Sequence, residues 1–349
     1  MTELDQLAAA LERLAAGGVA VLASLLKVAG SAYRGPGARM LVLPDDTAVG
    51  AISGGCLEKD IVAHAARLRA ARAPQLVSYD LTADDDAPWG LNMGCAAKLD
   101  VLLEPVEAGT IPDWLRAALA ATRAREPIVV ATVLTAPAGD PPTGTRLLVH
   151  SDGRSVGSVP GALGGSLRTD ALRVLREERS DAVEYPRPGG GTSAFVEFLA
   201  PPIAVAAFGD GADADLLARL ATSLGWLGRV VRKDEADGSL DDRTAAIVMT
   251  HNYARDRELL GRLVASHARY IGVLGPRPRT RRLLDELAAE GAGPNDVQRL
   301  RIYAPAGLNL GADTPEEVAL AILAEVRAVF SGRAGGPLRD RAGPIHDRR

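Results

Sequence analysis

Two stretches of this chain read alike at a constant separation, and that constrains its fold more than any other feature. "ARMLVLPDDTAVGAISGG" begins at Ala38 and "TRLLVHSDGRSVGSVPGA" begins at Thr145. At a shift of 107 residues Arg39 meets Arg146, Leu41 meets Leu148 and Val42 meets Val149. Asp45 meets Asp152, Val49 meets Val156, Gly50 meets Gly157 and Gly54 meets Gly161. Each stretch reads strand, Asp-centred turn, strand, glycine corner. The agreement extends outward. Apolar runs precede both, "VAVLASLLKV" and "IVVATVLTA", and helical patterns precede those, at Leu7–Leu14 and Trp114–Arg123. Both stretches lead to a strand closed by proline, "KLDVLLEP" and "AFVEFLAP". Residues 1–202 are therefore expected to be a tandem duplication of one α+β unit, with copies at about 1–106 and 112–202.

After Ile203 the style changes to alternating short apolar strands and helices. Strands are expected at 203–208, 229–232, 245–250 and 269–275, with helices near 253–266 and 277–290. That alternation predicts a Rossmann-like, doubly wound parallel sheet over 203–331. Thr314, Pro315 and Glu317 announce a last helix as N-cap, N1 and N3. The Gly-, Arg- and Pro-rich residues 332–349 are expected to be a mobile tail. The fold class is thus α/β, a duplicated α+β domain followed by a Rossmann-like one.

Composition narrows the class. With 47% apolar and 24% charged residues the chain can bury ordinary cores, and a net charge of −4 does not suggest a nucleic-acid or membrane surface. The first sixteen residues mix acids with apolars, unlike a signal peptide. No apolar run reaches the ~20 residues of a membrane helix. Two cysteines make no disulfide framework, so reduced thiols and a cytoplasmic protein are expected.

Those cysteines lie where the repeats diverge. Cys56 follows Gly54 and Gly55 at a strand-to-helix corner, while Leu163 stands opposite it. A helix start stabilises a thiolate; a small buried side chain is the alternative. Cys95 sits in the loop "GLNMGCAAKLD". Together the two thiols could hold a soft metal or relay sulfur. Arg34 and Arg39, in the loop "GSAYRGPGAR", are candidate phosphate ligands, with the Gly54 and Gly55 amides. Arg146 opposite Arg39 equally allows a structural role there.

In the second domain Gly209, Gly211 and Ala214 fit a dinucleotide loop. Asp210 inside that loop and Arg232 at the second strand's end oppose NAD; Arg232 would better suit NADP. His251, at a strand end, and Arg277 with Arg279 are further candidates for the ligand edge.

With these residues in view, the chain resembles the XdhC/CoxI family of xanthine dehydrogenase accessory proteins over nearly its whole length. "GSAYRGPGARMLV" and "AVGAISGGCLE" carry the N-terminal resemblance; "MTHNYARDRELL", "RYIGVLGPRPRTRRLL", "PAGLNLGADTPEEVALAILAEV" and "GPIH" carry the C-terminal one. The resemblance implies an accessory factor rather than a catalyst. It would bind the molybdenum cofactor transiently, as molybdopterin or its dinucleotide form, assist its sulfuration and insert it into an apo molybdenum hydroxylase of the xanthine dehydrogenase type. It implies a cysteine desulfurase as a second partner, and it maps the family's cysteines onto Cys56 and Cys95. Homodimerisation is left open. The chain departs from the family at Ala96-Ala97, Asp210 and Arg232. The rival reading is an NAD(P)-dependent oxidoreductase built on the Rossmann-like domain.

Overall fold

A computed structural model describes residues 2–15, 17–30, 32–55, 57–81, 97–137, 141–186, 190–232 and 240–342. The chain divides into two compact units, formed chiefly by Glu3–Pro201 and by Pro202–Arg341.

The first unit runs α1 (Glu3–Arg13), β1 (Val19–Gly30), β2 (Arg39–Val42), β3 (Ala48–Gly50), α2 (Glu58–Ala71), β4 (Gln75–Asp80) and β5 (Ala97–Glu107). It then runs α3 (Asp113–Ala124), β6 (Ile128–Thr135), β7 (Arg146–His150), β8 (Ser155–Val156), α4 (Gly161–Glu177), β9 (Asp181–Tyr185) and β10 (Thr192–Leu199). Two antiparallel sheets result, ordered β3-β2-β1-β5-β4 and β8-β7-β6-β10-β9. The hairpins share a register as well as an order: Leu41 faces Val49 in one, and Leu148 faces Val156 in the other.

The apolar runs in β1 and β6 are continuous because both faces of these strands are covered. Val21, Ala23 and Leu25 pack with Ile61, Ala65 and Leu68 of α2. Val129, Ala131 and Val133 pack with Leu163, Leu167 and Val174 of α4. The opposite faces meet each other: Leu26 and Leu102 of one sheet cluster with Leu134 and Phe195 of the other. Leu22 and Val130 share a second cluster with Leu11 of α1 and Leu115 of α3. The layers are helix, sheet, sheet, helix. Each fully buried Leu or Val contributes about 1.5–3 kcal/mol.

Two arginine–glutamate pairs tie the sheets together. The Arg39 guanidinium donates through both terminal nitrogens to Glu197 of β10. Arg146 donates in the same way to Glu104 of β5, at 2.7 and 2.5 Å. The carboxylates occupy matching places, since Glu104 faces Leu22 and Glu197 faces Val130 across the central strands. Both guanidinium carbons lie over the Trp114 ring, 5.1 Å from its centroid for Arg39 and 4.7 Å for Arg146. Gly37 and Gly144 make room. Their φ angles are +95° and +88°, and a Cβ would stand 2.7 Å from Glu197 Oε1 at Gly37 and 3.2 Å from Glu104 Oε1 at Gly144.

The second unit runs β11 (Ala204–Phe208), α5 (Ala212–Ser223), β12 (Leu227–Val231), β13 (Thr244–Val248), α6 (Tyr253–Ala265), β14 (Tyr270–Val273), α7 (Arg277–Ala289), α8 (Asp296–Arg299), β15 (Ile302–Tyr303) and α9 (Pro315–Ser331). Its sheet is parallel, ordered β12-β11-β13-β14-β15. One face packs on α5 and α9 through Leu217, Ile322 and Val326. The other packs on α6 and α7 through Leu260, Leu263 and Leu283. This is a doubly wound α/β sheet whose strand order reverses between β11 and β13, where such folds bind ligands. The expected cap of α9 is present, with Thr314 and Glu317 closing a capping box. Beyond α9 a short 3-10 turn forms at Leu338–Asp340. Among the described residues no helix is long and apolar enough to cross a membrane.

Candidate functional site

The first candidate site is the corner between β3 and α2. Its organiser is Ser53, which is buried. The Ser53 hydroxyl accepts from the amides of Gly55 and Leu57, each at 3.2 Å, and donates to Glu58 Oε2 at 2.5 Å. The Ser53 amide donates to the other Glu58 oxygen at 2.8 Å. Burial works to raise the Glu58 pKa, but the Ser53 hydroxyl and amide bonds outweigh it and hold the carboxyl below its ordinary value. Ionised Glu58 therefore stabilises the corner above the unfolded pKa of about 4.3, and that contribution is lost as pH falls through the lower folded value. Glu58→Gln should cost about 1 kcal/mol and speed amide exchange at Gly55 and Leu57, with little further change on acidification.

The second sheet has no equivalent corner. Both repeats were expected to end on one, yet Gly161 begins α4 and buried Leu163 lies within that helix. After β3 the helix starts only at Glu58, leaving residues 51–55 and Leu57 outside it. Cys56 and Cys95, like the "GPIH" segment, lie outside the described residues. Gly54 borders Tyr33, whose ring is 3.8 Å from where a Gly54 Cβ would stand and which is 69% exposed.

The phosphate ligands expected at this corner are already engaged. Arg39 is 5% exposed and bound to Glu197 and to the Gly37 carbonyl. Arg34 pairs with Glu3 at 2.8 Å and donates to the Ala51 carbonyl at 2.7 Å, so it ties α1 to the loop. The Gly55 amide is held by Ser53. Arg34, Arg39 and the Gly55 amide thus each have partners within the scaffold. The missed residues were Ser53, Glu58, Glu3 and Tyr33. Only the Ser-to-Glu spacing before a helix hinted at them, and at five residues it is not a capping box.

The second candidate site is the crevice at the β11/β13 switch point. Gly209 belongs there because a Cβ would lie 2.6 Å from the Met249 carbonyl oxygen. Gly211 is the N-cap of α5. Asp213 folds back over this helix start. Its Oδ1 accepts from the Ala214 amide at 3.0 Å, and its Oδ2 lies 2.8 Å from His251 Nε2. His251 has a φ of +56°, a left-handed conformation uncommon for a side-chain-bearing residue. Asp210 pairs with Arg255, and Arg232 pairs with Asp215 at 3.0 Å. A cavity of about 210 Å³ opens beneath, lined by Asp213, Asp313, Met249 and Ile322. Carboxylates thus occupy the positive end of α5 where a pyrophosphate would sit. Among the described residues no cluster of three or more His, Cys, Asp or Glu could hold a metal ion.

Arg277 and Arg279 go separate ways. Arg279 pairs with buried Asp256 at 2.6 Å. Arg277 lines a different cavity, of about 490 Å³.

Comparison with known proteins bears on both units. A model described as the XdhC Rossmann domain matches residues 205–326. One described as the XdhC and CoxI family matches residues 13–80 and 121–186. A Bacillus subtilis (strain 168) protein named as a probable xanthine dehydrogenase subunit is 28% identical over 88% of this chain and 92% of its own. The molybdenum cofactor insertion chaperone PaoD of Escherichia coli (strain K12) is 26% identical over 92% of this chain and 86% of its own. A crystal structure described as a xanthine dehydrogenase from Bacillus halodurans superposes with a TM-score of 0.74 at 26% identity, covering 95% of this chain and 97% of that one.

Proposed function

The chain belongs to the XdhC and CoxI family, and on that premise we propose that it is a molybdenum cofactor maturation factor. In this reading it binds the cofactor transiently, protects it during sulfuration and inserts it into an apo hydroxylase of the xanthine dehydrogenase type. The observation that carries the reading is the similarity to an insertion chaperone over 92% of this chain. A cysteine desulfurase is the second partner, the setting is cytoplasmic and the protein is not itself a catalyst. The same reading takes residues 1–106 and 112–202 as two copies of one unit, supported by the shared strand order of the two sheets.

The corner before α2 is the site for the soft end of the cofactor. Its dithiolene sulfurs and metal suit a thiolate, which assigns the role to Cys56, two residues before α2, with Cys95 as the second thiol. The exposed Tyr33 ring beside Gly54 offers a flat apolar face to the pterin. The phosphate end does not fit the residues once expected to hold it, because Arg34, Arg39 and Gly55 are engaged within the scaffold. The test is reconstitution. Adding the chain to apo hydroxylase and a limiting cofactor supply should raise the yield of active enzyme, and an unchanged yield would count against insertion.

The oxidoreductase reading has the switch-point crevice in its favour and Asp210, Asp213 and Asp215 against it. We expect no micromolar NAD or NADP binding in this crevice, where a Kd of about 1 μM would require roughly −8 kcal/mol. Nicotinamide fluorescence on titration checks this, and micromolar binding would revive the oxidoreductase.

A further inference from the structure

We propose that the cleft between α7 and β15 is an anion site that takes a phosphate ester. Arg277 and Arg281, one turn apart on α7, and Arg299, at the end of α8, line its cavity of about 490 Å³ together. All three side chains are exposed, and none has an ion-pair or hydrogen-bond partner among the described residues. Their neighbours differ: Arg255 pairs with Asp210, Arg257 with Glu290, Arg279 with Asp256 and Arg282 with Glu286. Like charges at i and i+4 repel, so Arg277 and Arg281 side by side weaken the helix unless an anion joins them.

A second, independent observation lies at the wall of the same cleft. Thr280 also lines the cavity, is only 3% exposed, and its hydroxyl has no hydrogen-bond partner among the described residues. Buried hydroxyls in native proteins are almost always satisfied, and one left open is costly. The start of α7 adds to this. Pro276 at its N-cap supplies no side-chain cap, and the first turn carries no acid to oppose an incoming anion.

The chemistry of the cleft specifies the ligand class. Guanidinium forks match phosphate oxygens in paired hydrogen bonds. Three cations suit a doubly charged group. The remaining walls are apolar, with Leu284 and Ile302 among them, and the volume suits a nucleotide-sized ligand. The ligand is thus a phosphate or pyrophosphate ester with a flat, weakly polar body. Nucleotides and pterin phosphates both have that chemistry. The inference stands apart from cofactor insertion, since simple anions test it.

The experiment is calorimetric titration of the full chain at low ionic strength with inorganic pyrophosphate, CDP and neopterin triphosphate. At least one should bind with a Kd of about 1 mM or tighter, and weaken in about 0.3 M salt. Arg277→Ala with Arg281→Ala should lower the affinity at least about tenfold. Thr280→Val keeps the shape; it should melt no lower than the wild type yet bind several-fold more weakly. Arg282→Ala, on the same helix but outside the cavity, should bind like the wild type. CDP tighter than pyrophosphate would assign a nucleotide, neopterin triphosphate tighter than pyrophosphate a pterin, and equal affinities the phosphate alone. Absence of binding by all three probes, or an equal loss in Arg282→Ala, would overturn the proposal.

Discussion

Arg39→Ala should destabilise the N-terminal unit by about 3–5 kcal/mol, the largest stability change we expect from any single side chain here. The side chains of Arg39 and Glu197 are only 6% and 7% exposed. Truncating the arginine leaves the Glu197 carboxylate buried against Gly37 without its partner, and removes one guanidinium from the Trp114 ring. Arg146→Ala removes the matching pair, whose side chains are 13% and 12% exposed, so water can reach the orphaned Glu104 more readily. Its cost should be smaller, about 2–3 kcal/mol. Replacing both members, as in Arg39→Met with Glu197→Leu, should recover much of the loss, because no charge is then left buried alone. Chemical denaturation of the full chain, followed with a probe on the N-terminal unit, measures all three. A change under about 1 kcal/mol for Arg39→Ala would show that the pair behaves like a surface ion pair.

The second large effect is functional. Cys56→Ser should leave the melting transition within about 0.5 kcal/mol of wild type while removing most bound molybdenum or most delivery of sulfurated cofactor. The substitution exchanges a soft sulfur for a hard oxygen of similar size. Position supports this more than composition does. At a shift of 107 residues buried Leu163 lies inside α4, whereas residues 51–55 stay outside α2 and are pinned through Ser53, Glu58 and Arg34. Cys95→Ser should have the weaker effect. Thermal melts and metal analysis under anaerobic conditions separate the outcomes. Full metal retention and sulfur delivery by Cys56→Ser would leave this cysteine as packing alone.

Much of the architecture was legible because it is written in period and punctuation. The apolar run before each hairpin, the Asp-centred turns and the glycines at 50 and 157 gave β1 to β3 and β6 to β8. The alternation after Ile203 gave β11 to β14 and the helices between them. The elements that went unread have weak local signals. β4 and β9 are short edge strands with mixed burial, and β15 is two residues long. The start of α4 is masked by Gly161, Gly164 and Gly165, which read as a turn.

The candidate sites were less legible, for a different reason. A sequence shows that an arginine is present but not which carboxylate it meets. Arg39 and Glu197 are 158 residues apart, and Arg34 and Glu3 are 31 apart. Both arginines looked available until the fold brought their partners to them. The reverse holds for Arg281 and Arg299, which nothing in the sequence singles out and which share a cleft with Arg277. Asp213 was unremarked as well; only the turn of α5 places its carboxylate over the helix start that a pyrophosphate would need.

We propose that this chain carries molybdenum cofactor. The most direct test is anaerobic purification of the full chain after co-expression with a molybdenum-cofactor supply, followed by metal and pterin analysis. Molybdenum and oxidised pterin should copurify at a substantial and matched fraction of the protein, with both depleted in Cys56→Ser. Wild-type protein that folds normally yet carries neither molybdenum nor pterin would contradict it.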